Sequence, residues 1–415
     1  VSILDLAPAT AVDGRRAWSA SGAMALTGRA AGPPLAVAES VGARLVGLAD
    51  ALARTSEKAR RRVDVDGPAL LGERAVFTGA GRNGSTSVGG SCRLLRTADS
   101  WMAVSLARPD DTDLVPAWLG VDPDGDGWPA IEEAMRYRRG GELVARASDL
   151  GLAVGLLGEC APAEDVAILR NAGSRGAPPI TGPWTVVDLS SLWAGPLAAS
   201  LLGLAGARVL KVESTARPDG ARTGAPDFFD LLHGGHESVA LDFRTTSGRR
   251  ALRALVERAD VVIEASRPRA FEQLGIAAEQ ILANSSVSVW LSITAHGRHG
   301  PSARRVGFGD DAAVAGGLVA WDDEGPCFVA DAAADPATGL LGATVVLDRL
   351  AVGGRWLVEV ALSRTAAWLA RPAAETAAAP LGTVVAPPRA RRVVAPASPL
   401  GVHTAAVLTE FAIEV

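Results

Sequence analysis

Residues 185–213 read TVVDLSSLWAGPLAASLLGLAGARVLKVE, and this stretch decides the fold. TVVDLS (185–190) is a short apolar run ending near an Asp, the pattern of a buried strand. GPLAASLLGLAG (195–206) has Pro at its second position and Gly at its close, which is how a small-residue helix starts and stops. RVLKVE (208–213) returns to strand. SVALDF (238–243), DVVIEA (260–265) and SVSVWLSI (286–293) repeat the strand signal, with helices expected over 247–258 and roughly 270–283. Strands alternating with helices imply βαβ units. The expected class is therefore α/β, a doubly wound, Rossmann-like parallel sheet, with ligands at the carboxyl ends of its strands.

The flanks read differently. GFGDDAAVAGGLVAW (307–321) is a small-residue helix, and DPATGLLGATVVLDRL (335–350) is a stronger one, with Asp335 as N-cap and Pro336 at N1. RWLVEVALS (355–363) is a further strand, and 371–400, rich in Pro, Ala and Arg, an extended linker. SCRLLRTADSWMAVSLA (91–107) alternates like a hairpin turning at Ala98-Asp99-Ser100, and a helix is expected over 129–149. DPDGDG (122–127) has the look of a calcium loop but lacks the bidentate Glu at its twelfth position, so an exposed turn is expected. Residues 22–75 and 316–370 share an order of features: a Gly-rich helix end, a GP turn, a helix, then V-D-V (63–65) or V-E-V (358–360) as a strand. Gly42 and Gly339 are 297 apart and Val63 and Val358 295 apart, so the two copies keep register. The domains expected are 1–75, a partial repeat of the core; 76–175, a smaller α+β domain; 183–370, the Rossmann-like domain; and 371–415, an extended tail.

Composition narrows the function classes. Of 415 residues, 48% are hydrophobic and 21% charged, which excludes wholesale disorder. The net charge is −5 without a long block of either sign, so bulk charge gives no reason to expect nucleic acid or anionic membrane as a partner. No apolar run reaches the length of a membrane span, and VSILDLAPATAVDG (1–14) lacks the basic and apolar regions of a signal peptide. Cys92, Cys160 and Cys327 cannot build a disulfide framework and have no metal spacing, so they read as small buried hydrophobes of a reducing, cytoplasmic compartment. Abundant Ala, Gly and Arg have the look of a high-GC bacterial coding bias.

VVDLSSLWAGPLAASLLGLAGARVLKVE (186–213) resembles the opening of the family III CoA-transferases, the group that includes formyl-CoA and carnitine CoA-transferases. SVALDF…AFEQLG (238–275), SITAHGRHGPSARRVGFGD (292–310), ADPATGLLGA (334–343) and SPLGVHTAAVL (398–408) continue the match, and 91–160 looks like the small domain of that family. In the family the sheet half comes first, then the small domain, then the tail; here the small-domain segment precedes the sheet half. The resemblance implies two complementary partial copies, 1–175 and 183–415, that supply one transferase-like unit between them.

The resemblance places the family's nucleophile at Asp335, in Asp335-Pro336-Ala337-Thr338-Gly339. A carboxylate with an ordinary pKa of about 3.9 is ionised at neutral pH and attacks without a base. Read from its residues alone, an Asp-Pro pair at a helix start is a cap, and the two roles compete. The family's mobile glycine loop falls at Gly89-Gly90, and CoA would be met by Ala194 and Gly195 at the helix start and by the cations Lys211, Arg217, Arg222 and Arg267. Taken singly, each of those cations reads better as a solvated surface residue. No GxGxxG loop is present, no metal site is expected and no cofactor is bound permanently; coenzyme A and acyl-CoA are substrates, beside a small carboxylic acid. The implied function is CoA transfer between carboxylic acids through an aspartyl-CoA thioester. The alternatives are a catalytically inactive CoA-ester-binding paralogue and, less favoured, an acyl-CoA racemase. Three departures bear on these. His233-Gly234-Gly235-His236-Glu237 replaces a basic stretch, Ala265 replaces an Asn, and Phe308 stands where racemases carry His. Family members are interlocked homodimers, so a homodimer is implied unless the internal duplication replaces the partner.

Overall fold

The computed structural model describes residues 13–122, 127–161, 165–172, 183–266, 268–371 and 383–414. The DPDGDG tip, most of the N-terminal run, Arg267 and part of the expected linker lie outside them.

Three strands, β1 (Cys92–Arg96), β2 (Trp101–Ser105) and β3 (Ala153–Leu156), make a small antiparallel sheet in that order. The β1–β2 hairpin turns where expected, pairing Arg96 with Trp101. Seven strands make the main sheet: β4 (Ala167–Asn171), β5 (Thr185–Asp188), β6 (Arg208–Ser214), β7 (Glu237–Leu241), β8 (Val261–Glu264) and β9 (Val289–Thr294), joined after the hairpin β10 (Val319–Asp322) and β11 (Gly325–Phe328) by β12 (Trp356–Ala361). Their order is β4-β12-β9-β8-β5-β6-β7. All pairs are parallel except β4 with β12. Counted from β5, the parallel strands follow the 3-2-1-4-5-6 order of a doubly wound sheet, and the order reverses between β5 and β8.

Alternation along each strand builds two cores. Val186, Ile263, Leu291 and Val358 face the helices Ala194–Leu204, Ala334–Val352 and Glu39–Ala59. Val187, Val262, Trp290 and Leu357 face Thr246–Glu257, Ala278–Asn284 and the C-terminal helix Thr404–Glu410. The two helices read as repeats, Glu39–Ala59 and Ala334–Val352, pack on each other. Gly339 brings the latter against Ala194–Leu204, since a Cβ there would stand 2.6 Å from the Ala194 carbonyl oxygen.

Several expectations are corrected. Val63-Asp64-Val65 forms no strand: the Val63 amide donates to Ser56 Oγ at 2.9 Å, closing the helix before it instead of joining a ladder. β4, inside the 76–175 stretch expected as the small domain, instead closes the main sheet, covering backbone groups that β12 would otherwise leave unpaired. The helix expected over 129–149 is two, Trp128–Arg136 and Gly140–Leu150, with the Gly140 amide capped by Asp99 Oδ1 at 2.8 Å. The helix expected over 270–283 is also two, parted at Gly275, whose φ is +77°. Of the tail expected to be extended over 371–415, residues 383–399 form no helix, but Thr404–Glu410 is one because Val407 and Leu408 bury against the second core. Cys92 and Cys327 are buried, whereas Cys160 is partly exposed. Among the described residues no helix is long and apolar enough to cross a membrane.

Candidate active site

The helix Ala334–Val352 starts two residues earlier than expected, with Ala333 rather than Asp335 at its cap, and no side chain caps it. Asp335 therefore sits inside the first turn with its carboxylate free of its own helix. The loop before it is strained: Ala330 and Ala332, both non-glycine, have φ of +52° and +44°. Residues far away in the chain hold that loop. The Ala330 amide donates to Thr27 Oγ1 at 3.1 Å and the Asp331 amide to the Leu71 carbonyl at 3.1 Å.

Four acids gather here. Asp335 accepts from the Gly309 amide, at the start of the helix Gly309–Ala315. A Cβ at position 309 would lie 2.7 Å from Asp335 Oδ2 and 2.5 Å from the Ala332 carbonyl oxygen, so only glycine allows this approach. Asp310 accepts from the Ala332 amide and the Ser87 hydroxyl. Asp311 folds back on the Phe308 amide at 2.8 Å. Asp331 accepts from Arg74 Nε at 2.9 Å and from Arg74 Nη2. The Arg74 guanidinium lies 5.1 Å over the Trp193 ring. It also touches the glycine loop: a Cβ on Gly89 would be 3.0 Å from Arg74 Nη2. Gly90, with φ of +81°, has open space where its Cβ would be. Gly89 and Asp335 are thus brought to one cluster, with Arg74 between.

Burial sets the charges. It pushes Asp335 up to about 7, against the opposing field of Arg74 and the Gly309 amide and with Asp310 and Asp331 adding to it. Asp310 is pushed to about 6 for the same reason, and burial raises Asp311 well above the ordinary range. The premise of an ordinary, fully ionised aspartate is thereby corrected. Asp335 nevertheless keeps part of its surface in solvent, whereas Asp310, Asp311 and Asp331 are buried. A carboxylate that is crowded yet reachable, and more basic than usual, is suited to attack an electrophile.

The expected CoA contacts divide. Ala194 and Gly195 start their helix beside β5, but Gly195 answers a packing need, since a Cβ would lie 2.1 Å from Ser190 Oγ. Lys211 is not a surface cation. It is 1% exposed, donates to the Ser190 carbonyl and to Asp219 Oδ2 at 3.0 Å, and lies 3.6 Å from Asp188 Oδ2. Asp219 in turn accepts from the amide of Leu192, a strained residue at φ +71° just before Trp193. Arg222 forks onto Glu213, with Nε to Oε1 at 2.9 Å, and stacks 4.7 Å over Phe229. Arg217 is exposed in the turn after β6, and Arg267 lies outside the described residues. Among the described residues no group of three His, Cys, Asp or Glu could hold a metal. Sequence reading missed Arg74, Ser87, Trp193, Asp310 and Asp331. Asp310 was in view, in Gly307-Phe308-Gly309-Asp310, but nothing local marks Arg74, which lies 257 residues from the acid it binds.

The site and fold together define the class as an α/β protein with a doubly wound sheet and a reachable, burial-shifted aspartate in the first turn of a helix packed on it. The family model for CoA-transferase family III matches residues 184–406, more than half of the chain, and the chain belongs to that family. It is 30% identical over 142 residues to a succinyl-CoA–D-citramalate CoA-transferase of Chloroflexus aurantiacus, covering 32% of this chain and 35% of that protein. It is 30% identical over 175 residues to a succinyl-CoA:glutarate CoA-transferase of Mus musculus, covering 40% of each. A CAIB/BAIF family protein from Brucella suis is similar at 29% identity and a TM-score of 0.42, over 45% of this chain and 54% of that one. The chain spans under half the length of the curated relatives it matches.

Proposed function

We propose that this chain moves CoA between carboxylic acids, with Asp335 as the group that accepts the acyl unit. The Asp335 carboxylate attacks the thioester carbonyl of an acyl-CoA; the C–S bond breaks, a mixed anhydride forms and CoA leaves as thiolate. The thiolate attacks the aspartyl carbonyl, releasing the first acid as carboxylate and leaving an aspartyl-CoA thioester. A second carboxylate attacks that thioester, and the returning thiolate takes its acyl group, restoring Asp335. No net proton is consumed. The amides of the Gly89-Gly90 loop are donors for the oxyanion formed on the substrate carbonyl, and the Gly309 amide, already on Asp335, for the oxyanion formed on the aspartyl carbonyl.

The observation that carries the reading is the accessibility of Asp335 inside an otherwise buried acid cluster, with its carboxylate turned to the Gly309 amide rather than to its own helix. That Arg74, Ser87 and Gly89 meet Asp310, Asp331 and Asp335 supports the reading that two partial copies in one chain build a single unit. In that arrangement the first segment stands where a second copy would otherwise be needed. The names of the relatives make succinyl-CoA and small dicarboxylic acids the first substrates to try. The second reading, a paralogue that binds CoA esters without reacting, is favoured by one observation: burial raises Asp335 to about 7, so part of it is protonated and unreactive at neutral pH. Incubation with acyl-CoA and hydroxylamine, followed by mass spectrometry, separates the two. A hydroxamate at Asp335 that is absent in Asp335→Ala supports transfer; retention on immobilised CoA with no label at any pH from 6 to 9 refutes it.

A further inference from the structure

We propose that Arg74, supplied by the segment that precedes the matched 184–406 stretch, is the positioning residue that keeps Asp335 in its charged, attacking form. The inference rests on the reading of Asp335 as acyl acceptor. Its basis is geometric. Arg74 opens the short helix Glu73–Thr78 and is fixed on three sides: the two-pronged bond to Asp331, the Trp193 ring beneath it, and the glycine loop against Nη2. Its side chain is still 30% exposed, while that of Asp331 is 1% exposed. The guanidinium therefore stands at the mouth of the acid cluster rather than beneath it.

The groups that face Asp335 come from three elements. The helix Gly309–Ala315 brings the Gly309 amide and the acids Asp310 and Asp311; the strained loop brings Asp331; the helix Glu73–Thr78 brings Arg74. Burial, Asp310 and Asp331 all oppose a charge on Asp335, and Arg74 is the cation whose field works against them. Without it, a crowded carboxyl among other carboxyls takes up a proton and loses its nucleophilic lone pair. A role confined to neutralising Asp331 would also raise the Asp335 midpoint in Arg74→Gln, by baring the Asp331 charge, but would leave it unmoved once Asp331 is removed as well, so the double variant Arg74→Gln/Asp331→Asn separates the two roles.

The test is a pH titration of Asp335 by its carboxylate infrared band, assigned by its loss in Asp335→Asn, in wild type and in Arg74→Gln. Alongside it runs the pH dependence of acyl-CoA labelling. The midpoint in the variant is expected to rise by about one unit or more, with the labelling limb moving equally. The double variant Arg74→Gln/Asp331→Asn runs beside it and decides between the roles, and it also serves if Arg74→Gln does not fold. It leaves no unpaired charge at that pair, and its midpoint should still rise, by less, because the Arg74 field is lost while Asp331 no longer opposes a charge on Asp335. A midpoint that stays or falls overturns the inference, whatever the activity. An unlabelled wild type sinks the transferase reading; a labelled wild type with an unmoved midpoint in the variants sinks this inference alone.

Discussion

Replacing Lys211 with Met separates two roles that the sequence leaves open, ligand cation and internal brace. Met keeps the length of the stem and removes the ammonium. In the structure that ammonium holds the Ser190 carbonyl and Asp219 at the carboxyl end of β5 and lies 3.6 Å from Asp188. Asp188 Oδ2 has no hydrogen-bond partner of its own, so the ammonium is its compensation. Burial alone would lower the Lys211 pKa, yet Asp188, Asp219 and Glu213 together hold it above its ordinary value. Removing one member of such a buried set strands the others, at a cost of about 3–5 kcal/mol. With a urea dependence of roughly 3 kcal/mol per molar, the unfolding midpoint should fall by about 1–1.7 M at pH 7. The deficit should shrink as the pH is lowered toward 5. In the variant Asp188, already raised by burial, loses the ammonium that opposes that rise, so it favours the folded state when protonated and opposes it as pH rises. Urea unfolding at both pH values, with CoA binding by calorimetry, checks this. An unchanged midpoint with weakened CoA binding would refute the brace and restore Lys211 as a phosphate ligand.

Three further outcomes are expected. Gly309→Ala should cut acyl labelling about 100-fold, because its Cβ meets both Asp335 and the Ala332 carbonyl; a labelling rate within a few-fold of wild type would dismiss the Gly309 contact. Burial presses His236 down to about 4, so the folded state holds it neutral while the unfolded chain protonates near 6.5. Stability from this site is therefore present above pH 6.5 and lost as pH falls to 4, about 3 kcal/mol in all, and His236→Leu should lose correspondingly less between pH 7 and 4 in thermal melts. Arg391→Ala should strand the buried Glu73, whose carboxylate receives the Arg391 amide and side chain at 2.9 and 2.8 Å. Protease cleavage within 383–400 should accelerate at least tenfold at temperatures well below the melt, and unchanged cleavage would show that the tail is held elsewhere.

Reading residues in order was enough for the sheet because its strands are continuous apolar runs, and the period and punctuation of a run are local properties. β5, β6, β8, β9 and the helices Ala194–Leu204, Thr246–Glu257 and Ala334–Val352 fall within a few residues of their expected places. Where the reading failed, a distant partner decided. Val63-Asp64-Val65 has strand composition, but the Val63 amide is taken by the hydroxyl of Ser56, seven residues back at the end of the preceding helix. Ala167–Asn171 became a strand only because β12 offered an unpaired edge.

The amino-acid order by itself determined the doubly wound class, the family and the candidate nucleophile, since βαβ punctuation and the Asp335-Pro336-Ala337-Thr338-Gly339 motif are contiguous in the chain. Only the tertiary structure decided what surrounds that aspartate. It turned Lys211 and Arg222 from surface cations into internal braces, moved Asp335 off its own helix cap and onto the Gly309 amide, and brought Arg74 from 257 residues before Asp331 to face it. The reason is physical. A strand or helix is specified by neighbours within a turn or two, whereas the pKa and reach of a side chain are set by solvent exclusion and by charges a few ångströms away, and those come from whichever parts of the chain the core packs together.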